Sequence, residues 1–246
     1  MKKVKAITTV LVLTTALLIG GCGASKTDQA PGTQTPAAAS QKVSEVKIYK
    51  GVGQTANFRV GPGELFSINY VTASALFDQD GKIIDIYFDA LEVMSPNDTE
   101  HVGVPKFSGW PGQAAYLTAA ANTNETAIKE LENWKSKRER GDKNYGLNWS
   151  EQINNYQKFM KGKTVAEIEQ WFAKYTSDLN GRPLTEKSSK PEDVAKYAKL
   201  TADEKKALES DVTSGSTISL KDGHGDYIGA LKKAYQNKAE VTVPVK

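Results

Sequence analysis

Alternating apolar and polar positions follow residue 43, and this pattern predicts β-strands. Apolar, aromatic and β-branched residues recur at every second position or in short runs in Val46–Tyr49, Ala56–Val60 and Leu65–Phe77. Two glycine-containing segments, Gly51–Gly53 and Gly61–Gly63, separate these runs and predict turns between the strands.

An Asp-Gly turn joins the third run to a further strand. Asp78–Lys82, with the sequence DQDGK, follows Phe77 directly and leads into the apolar segment Ile83–Phe88. This arrangement predicts a β-hairpin. At the other end of the chain, valines at alternate positions predict a last edge strand over 240–245.

Helical spacing replaces the alternation between residues 124 and 208. One predicted helix runs from Asn124 to about Arg140, and shorter ones cover 192–200 and 202–208. Three helix starts are marked by a polar residue with Glu three positions later, namely Asn148 with Glu151, Thr164 with Glu167 and Thr201 with Glu204. The pattern as a whole predicts an α+β fold, an antiparallel sheet with a helical insertion at about 124–177.

The N-terminus has the pattern of a lipoprotein export signal. Three lysines precede a short apolar run, Ala6–Ile19, which ends in two glycines and Cys22, the single cysteine of the chain. We therefore expect a signal peptide at 1–21, a lipid attached to Cys22, a flexible tether at 22–42 and a folded domain at 43–246. These features place the protein on the extracytoplasmic face of the cell membrane; the alternative is a cleaved signal followed by an incidental cysteine.

Charge and composition exclude two classes of function. The net charge of +3 comes from Lys2, Lys3 and Lys5, and the remaining chain holds equal numbers of basic and acidic residues, so no nucleic-acid partner is expected. The chain has two histidines and one cysteine, without the paired spacing of metal ligands, so no metal site is expected either.

Four hydroxyl side chains surround one glycine in the segment Asp211–Thr217. Ser219 and Asp222 then have the spacing of a capping box, and apolar residues continue at helical intervals to Tyr235. The pattern predicts that Thr217 lies at a helix N-terminus, where free N–H groups and the helix dipole stabilise a phosphate. An ordinary Ser/Thr/Gly turn before a capped helix is the alternative.

The same segment resembles the Asp-x-x-Ser/Thr-Gly-Ala-Thr/Ser motif of FMN-binding domains, and the Asp-Gly hairpin is similar to the central hairpin of that family. The resemblance covers about Ala75–Glu92 and Leu208–Tyr235. It implies FMN joined by a phosphoester to Thr217, with Ser214, Gly215 and Ser216 around the cofactor and Asp211 read by the attaching enzyme. Ser216 stands where the family usually has Ala and supplies a competing hydroxyl, and Val212 stands where Gly is common.

His224, between two glycines, is a further candidate to contact the flavin or to tune its protonation; the alternative is an ordinary exposed histidine. The resemblance implies an electron carrier that receives electrons from a membrane oxidoreductase. It also implies a magnesium-dependent flavin transferase that uses FAD, and relatedness to the flavin-bearing subunits of Rnf and Nqr complexes. The alternative function is a cofactor-free lipoprotein that binds a ligand or another surface protein.

Overall fold

The computed structural model describes residues 44–61, 65–109, 123–141 and 148–245. The strands are β1 (Ser44–Val60), β2 (Phe66–Phe77), β3 (Ile83–Met94) and β4 (Ala239–Val245). They form one antiparallel sheet in the order β3-β2-β1-β4, which together with the helices confirms the predicted α+β class. β4 pairs with β1 and forms the predicted edge strand.

The predicted hairpin is confirmed between β2 and β3. Asp78 N donates to Lys82 O at 2.9 Å, and Gly81 has a φ of 78°, a conformation that glycine adopts without steric cost. The Asp78 carboxylate accepts from the amides of Asp80 and Lys82, so this side chain stabilises the turn.

The predicted turn at Gly51–Gly53 is wrong, because β1 runs through both glycines without interruption. A helix backbone lies directly against them: a Cβ on Gly51 would be 1.9 Å from Ala234 O, and one on Gly53 would be 2.0 Å from Ala230 O. The two glycines therefore allow close packing of a helix on the sheet instead of ending a strand.

Seven α-helices lie within the described ranges. In chain order they are α1 (Asn124–Glu132), α2 (Lys137–Arg140), α3 (Trp149–Met160), α4 (Val165–Tyr175), α5 (Pro191–Ala198), α6 (Ala202–Leu208) and α7 (Tyr227–Gln236). A π-helical turn, Glu209–Thr213, follows α6.

The helix-start predictions are partly confirmed. Thr164 and Thr201 form the predicted capping boxes of α4 and α6. The single helix predicted to run to Arg140 is wrong: it divides into α1 and α2, because Ser136 caps a new helix with its own capping box. The predicted cap at Asn148 is also wrong. Asn148 has a left-handed backbone conformation, and its side chain donates to the Glu151 carboxylate and does not accept from a helix amide.

The main core lies between the sheet and the helices α3, α4 and α7. α3 and α4 belong to the predicted insertion, yet they bury large side chains against the same sheet face as α7. The fully buried side chains of this core include Phe77, Phe88, Ile153, Tyr156, Met160, Ile168, Tyr227 and Leu231.

The predicted signal peptide, Cys22 and the tether lie outside the described residues. None of the helices within the described ranges combines the length and apolar character that a membrane crossing requires.

Candidate cofactor site

The π-helical turn after α6 sets the conformation of the segment 211–217. Ser214 N donates to Glu209 O at 3.1 Å, and Ser216 N donates to Val212 O at 2.8 Å. Val212 is buried in the main core, so its side chain anchors the loop. Short π-helical turns occur frequently at functional sites.

Helix α3 holds the rest of this loop through two amide side chains. Asn155 Nδ2 donates to Gly215 O at 2.8 Å. Gln152 makes two contacts: its backbone carbonyl accepts from Ser216 Oγ at 2.7 Å, and its Oε1 accepts from Thr217 N at 2.8 Å. Sequence reasoning missed both residues, although their three-residue spacing places them on one helix face.

The four hydroxyls of the segment differ in access. Ser216 is 1% exposed and its hydroxyl is bonded to Gln152, while the Thr213 hydroxyl donates to Leu208 O at 3.2 Å. Thr217 and Ser214 are exposed, and Thr217 Oγ1 lies 3.4 Å from Gln152 Oε1. Thr217 is therefore exposed to solvent. The hydroxyl of Ser216, which could compete with Thr217 for the flavin linkage, is buried and hydrogen-bonded.

The predicted helix start at Ser219 is wrong. α7 begins at Tyr227, where the Asp226 carboxylate caps the helix by accepting from Gly229 N at 2.8 Å. Ser219 Oγ instead accepts from Arg182 Nε at 3.0 Å, and Asp222 has a φ of 93°, outside any helix. Thr217 therefore does not lie at a helix N-terminus, and the helix dipole supplies no field there.

The glycines around His224 explain why the helix starts late. Gly225 has a φ of 128°, and a Cβ on Gly223 would lie 2.8 Å from the Cβ of Arg59. The segment 223–225 passes so close to β1 and β2 that a side chain at either glycine would clash, and the positive φ of Gly225 is incompatible with a helix.

Thr217 lies on the wall of a cleft, here called the Thr217 cleft, formed by two adjoining cavities of about 410 and 350 Å³. The cavities share Leu184, Thr185, Lys187 and Thr217, and Tyr197 adds an aromatic ring. The charged side chains of the lining are Arg182, Lys187, Lys190, Lys205, Glu186, Asp193 and Glu209. This lining carries an excess of one positive charge, which fits the single negative charge of a phosphodiester.

The other predicted site residues lie elsewhere. Asp211 is exposed and lines a different cavity with Gly215 and Lys158, while Ser214 lines both that cavity and the Thr217 cleft. His224 lines a third cavity. The structure thus places Thr217 and Ser214 together at the cleft and separates Asp211 and His224 from it.

His224 is held by Asp222 and Arg59. Its Nδ1 lies 2.9 Å from Asp222 Oδ1, and its backbone N–H donates to the same oxygen at 2.7 Å. Burial alone raises the pKa of Asp222, but the hydrogen bonds from His224 outweigh it and lower the pKa below its ordinary value.

We expect Asp222→Asn to destabilise the protein by about 1 kcal/mol near pH 6, with a smaller effect near pH 3. A carboxyl whose pKa is lowered by folding stabilises the native state above its ordinary pKa of about 3.9, and this contribution is lost as the pH falls through the folded-state value. Urea unfolding of both proteins at the two pH values measures the difference. A free-energy difference that grows toward acid pH would contradict the assigned role of Asp222.

Comparison with known proteins gives one informative relative. The chain is 40% identical over 216 residues to a chlorophenol reductase of Desulfitobacterium hafniense, in a match that covers 79% of this chain and 59% of that protein. The chain therefore spans about three fifths of the length of the curated relative it matches. No family model matches the chain, and no solved structure matches it.

Proposed function

We propose that this protein is an extracytoplasmic electron carrier that holds FMN covalently through a phosphoester to Thr217. One observation carries the proposal: helix α3 fixes the motif loop so that Thr217 is exposed at a cleft with excess positive charge, while Ser216 is buried. A loop that only turned the chain would have no need to bury the Ser216 hydroxyl and leave Thr217 exposed at such a cleft.

The residues of the Thr217 cleft have separable roles in this proposal. Lys187 and Arg182 would neutralise the phosphodiester, because both line the cavity that Thr217 lines. Tyr197 and Leu184 would supply apolar surface to the flavin ring. When bound, FMN supplies reversible one- and two-electron transfer.

Covalent attachment suits a protein outside the cytoplasm. A cofactor held only by reversible binding is lost when the free concentration outside the cell is low, whereas a phosphoester does not dissociate. The proposal includes a lipid on Cys22, a flavin transferase that uses FAD with magnesium, and a membrane oxidoreductase as electron donor.

The relative's name supports a redox role, since a chlorophenol reductase consumes electrons. We propose that the present chain supplies electrons to a reductive reaction and does not turn over a substrate of its own. A separation between an electron carrier and a reductase is consistent with the greater length of the relative, of which the match covers 59%.

The test is to express the full chain with and without a flavin transferase. We expect a flavin-fluorescent band on a denaturing gel and an intact mass increased by one FMN less one water, only when the transferase is present. A colourless protein with no mass increase beyond its acyl chains would overturn the proposal and favour the cofactor-free binding lipoprotein.

A further inference from the structure

A separate cavity of about 290 Å³ collects basic side chains from distant parts of the chain. Arg59 comes from β1, Lys137 from α2 and Arg182 from the segment after α4. Both histidines of the chain, His101 and His224, line the same cavity. These side chains are too far apart in the sequence to form a recognisable motif. The fold alone brings them to one cavity.

The one carboxylate of the lining is already paired. Glu92 lies 3.2 Å from Lys137 Nζ, and both side chains are buried. Burial lowers the pKa of Lys137, while the Glu92 carboxylate opposes this shift. The Glu92 carboxylate is therefore engaged by Lys137, and Arg59 and Arg182 are the other two cations of the lining.

Neither arginine has a carboxylate within 4.0 Å among the described residues. Arg59 Nη1 is bonded to His224 Nε2, and Arg182 Nε donates to Ser219 Oγ, so neither guanidinium is hydrogen-bonded to a carboxylate. The Asp222 carboxylate acts on Arg182 only through a longer-range electrostatic interaction. Arg59 Nε is buried and has no acceptor within the described part of the chain. A desolvated cation without a carboxylate partner is costly, and an anion bound in the cavity beside the guanidinium would reduce this cost.

The histidine network holds Arg59 in place. A guanidinium only donates, so His224 Nε2 accepts from it, and the ring proton therefore lies on Nδ1, where it donates to Asp222. Asn69 Nδ2 donates to Gly223 O at 2.7 Å and ties this loop to β2. The cation is thus oriented before any ligand arrives, which lowers the entropic cost of binding.

The other walls of the cavity are apolar. Trp149, Ile218 and Tyr227 contribute carbon surface, and the volume lies at the small end of the range for ligand pockets. We propose that this cavity binds a small organic oxyanion with one aromatic ring, of the phenolate class, through Arg59 and Arg182. Arg182 also lines the Thr217 cleft, so the ligand would lie beside the proposed flavin site. Binding itself does not require the flavin, so this proposal and the proposed function can fail separately.

Calorimetric titration of the flavin-free full chain tests the proposal. The probes are trichlorophenolate at mildly alkaline pH, its uncharged methyl ether trichloroanisole, and inorganic phosphate. We expect saturable binding of the phenolate, and at least tenfold weaker binding of the ether and of phosphate. These differences follow because only the phenolate offers both the anionic oxygen and the ring, and a charged hydrogen bond contributes about a tenfold or larger factor.

Variants assign the binding to the cavity. Arg59→Gln and Arg182→Gln should each weaken phenolate binding by about tenfold or more, whereas Lys50→Gln, an exposed charge on the same strand as Arg59, should not change it. Circular dichroism and thermal unfolding show which variants remain folded. Absence of phenolate binding, equal binding of the ether or of phosphate, or unchanged affinity in either folded arginine variant would overturn the proposal.

Discussion

Thr217→Val should abolish covalent flavin attachment, while Ser216→Ala should leave it in place. The valine side chain has the same shape as threonine but no hydroxyl to esterify. Ser216 Oγ is buried and donates to Gln152 O, so a transferase has no access to it in the folded protein. The expected effect at Thr217 is complete loss and not a partial decrease.

In-gel flavin fluorescence and intact mass of the two variants, coexpressed with the transferase, measure this difference. Ser214→Ala is the matched control, because Ser214 is also exposed and lines the same cleft. Fluorescence that survives Thr217→Val and disappears in Ser214→Ala would move the linkage to Ser214. Fluorescence that survives every one of these variants would contradict a linkage to Ser214, Ser216 or Thr217.

Gly53→Ala should destabilise the protein by about 3 kcal/mol or more, the largest stability effect that we expect. A Cβ at this position would lie 2.0 Å from Ala230 O and 2.3 Å from Ala234 N, both backbone atoms of α7. The helix backbone cannot yield as a flexible side chain would. The methyl group therefore pushes α7 away from the sheet and weakens the core between them.

Urea unfolding monitored by circular dichroism measures the change. Gln54→Ala is the control, because Gln54 is exposed on the other face of the same strand, and a change of only about 0.5 kcal/mol is expected there. Equal stabilities of the two variants would show that α7 does not pack against Gly53 as described.

Local chemistry explains which elements could be predicted from the sequence. The hairpin and the capping boxes at Thr164 and Thr201 depend on residues within four positions of one another, so their signals lie within short windows. Two of the errors occurred where glycine had a tertiary role. Gly53 accommodates α7, and Gly223 accommodates Arg59, yet short windows indicate a strand break at the first and allow a helix at the second.

The candidate site shows the same limit. The sequence identified the loop 211–217 and Thr217 within it, but Gln152, which bonds Thr217, and Lys187, which lines the same cavity, lie in other segments. The predicted reason for a phosphate at Thr217, a helix N-terminus, is wrong, and the cations of the cleft replace it in the proposal.

By itself, the sequence determined the α+β class, the hairpin, most helices and the hydroxyl-rich loop, because each depends on local periodicity or on turn chemistry. Only the tertiary structure decided which hydroxyls of the loop are exposed, where α7 begins and that Arg59 and Arg182 line one cavity. These outcomes depend on packing between segments more than sixty residues apart along the chain, and no short window of sequence records such contacts.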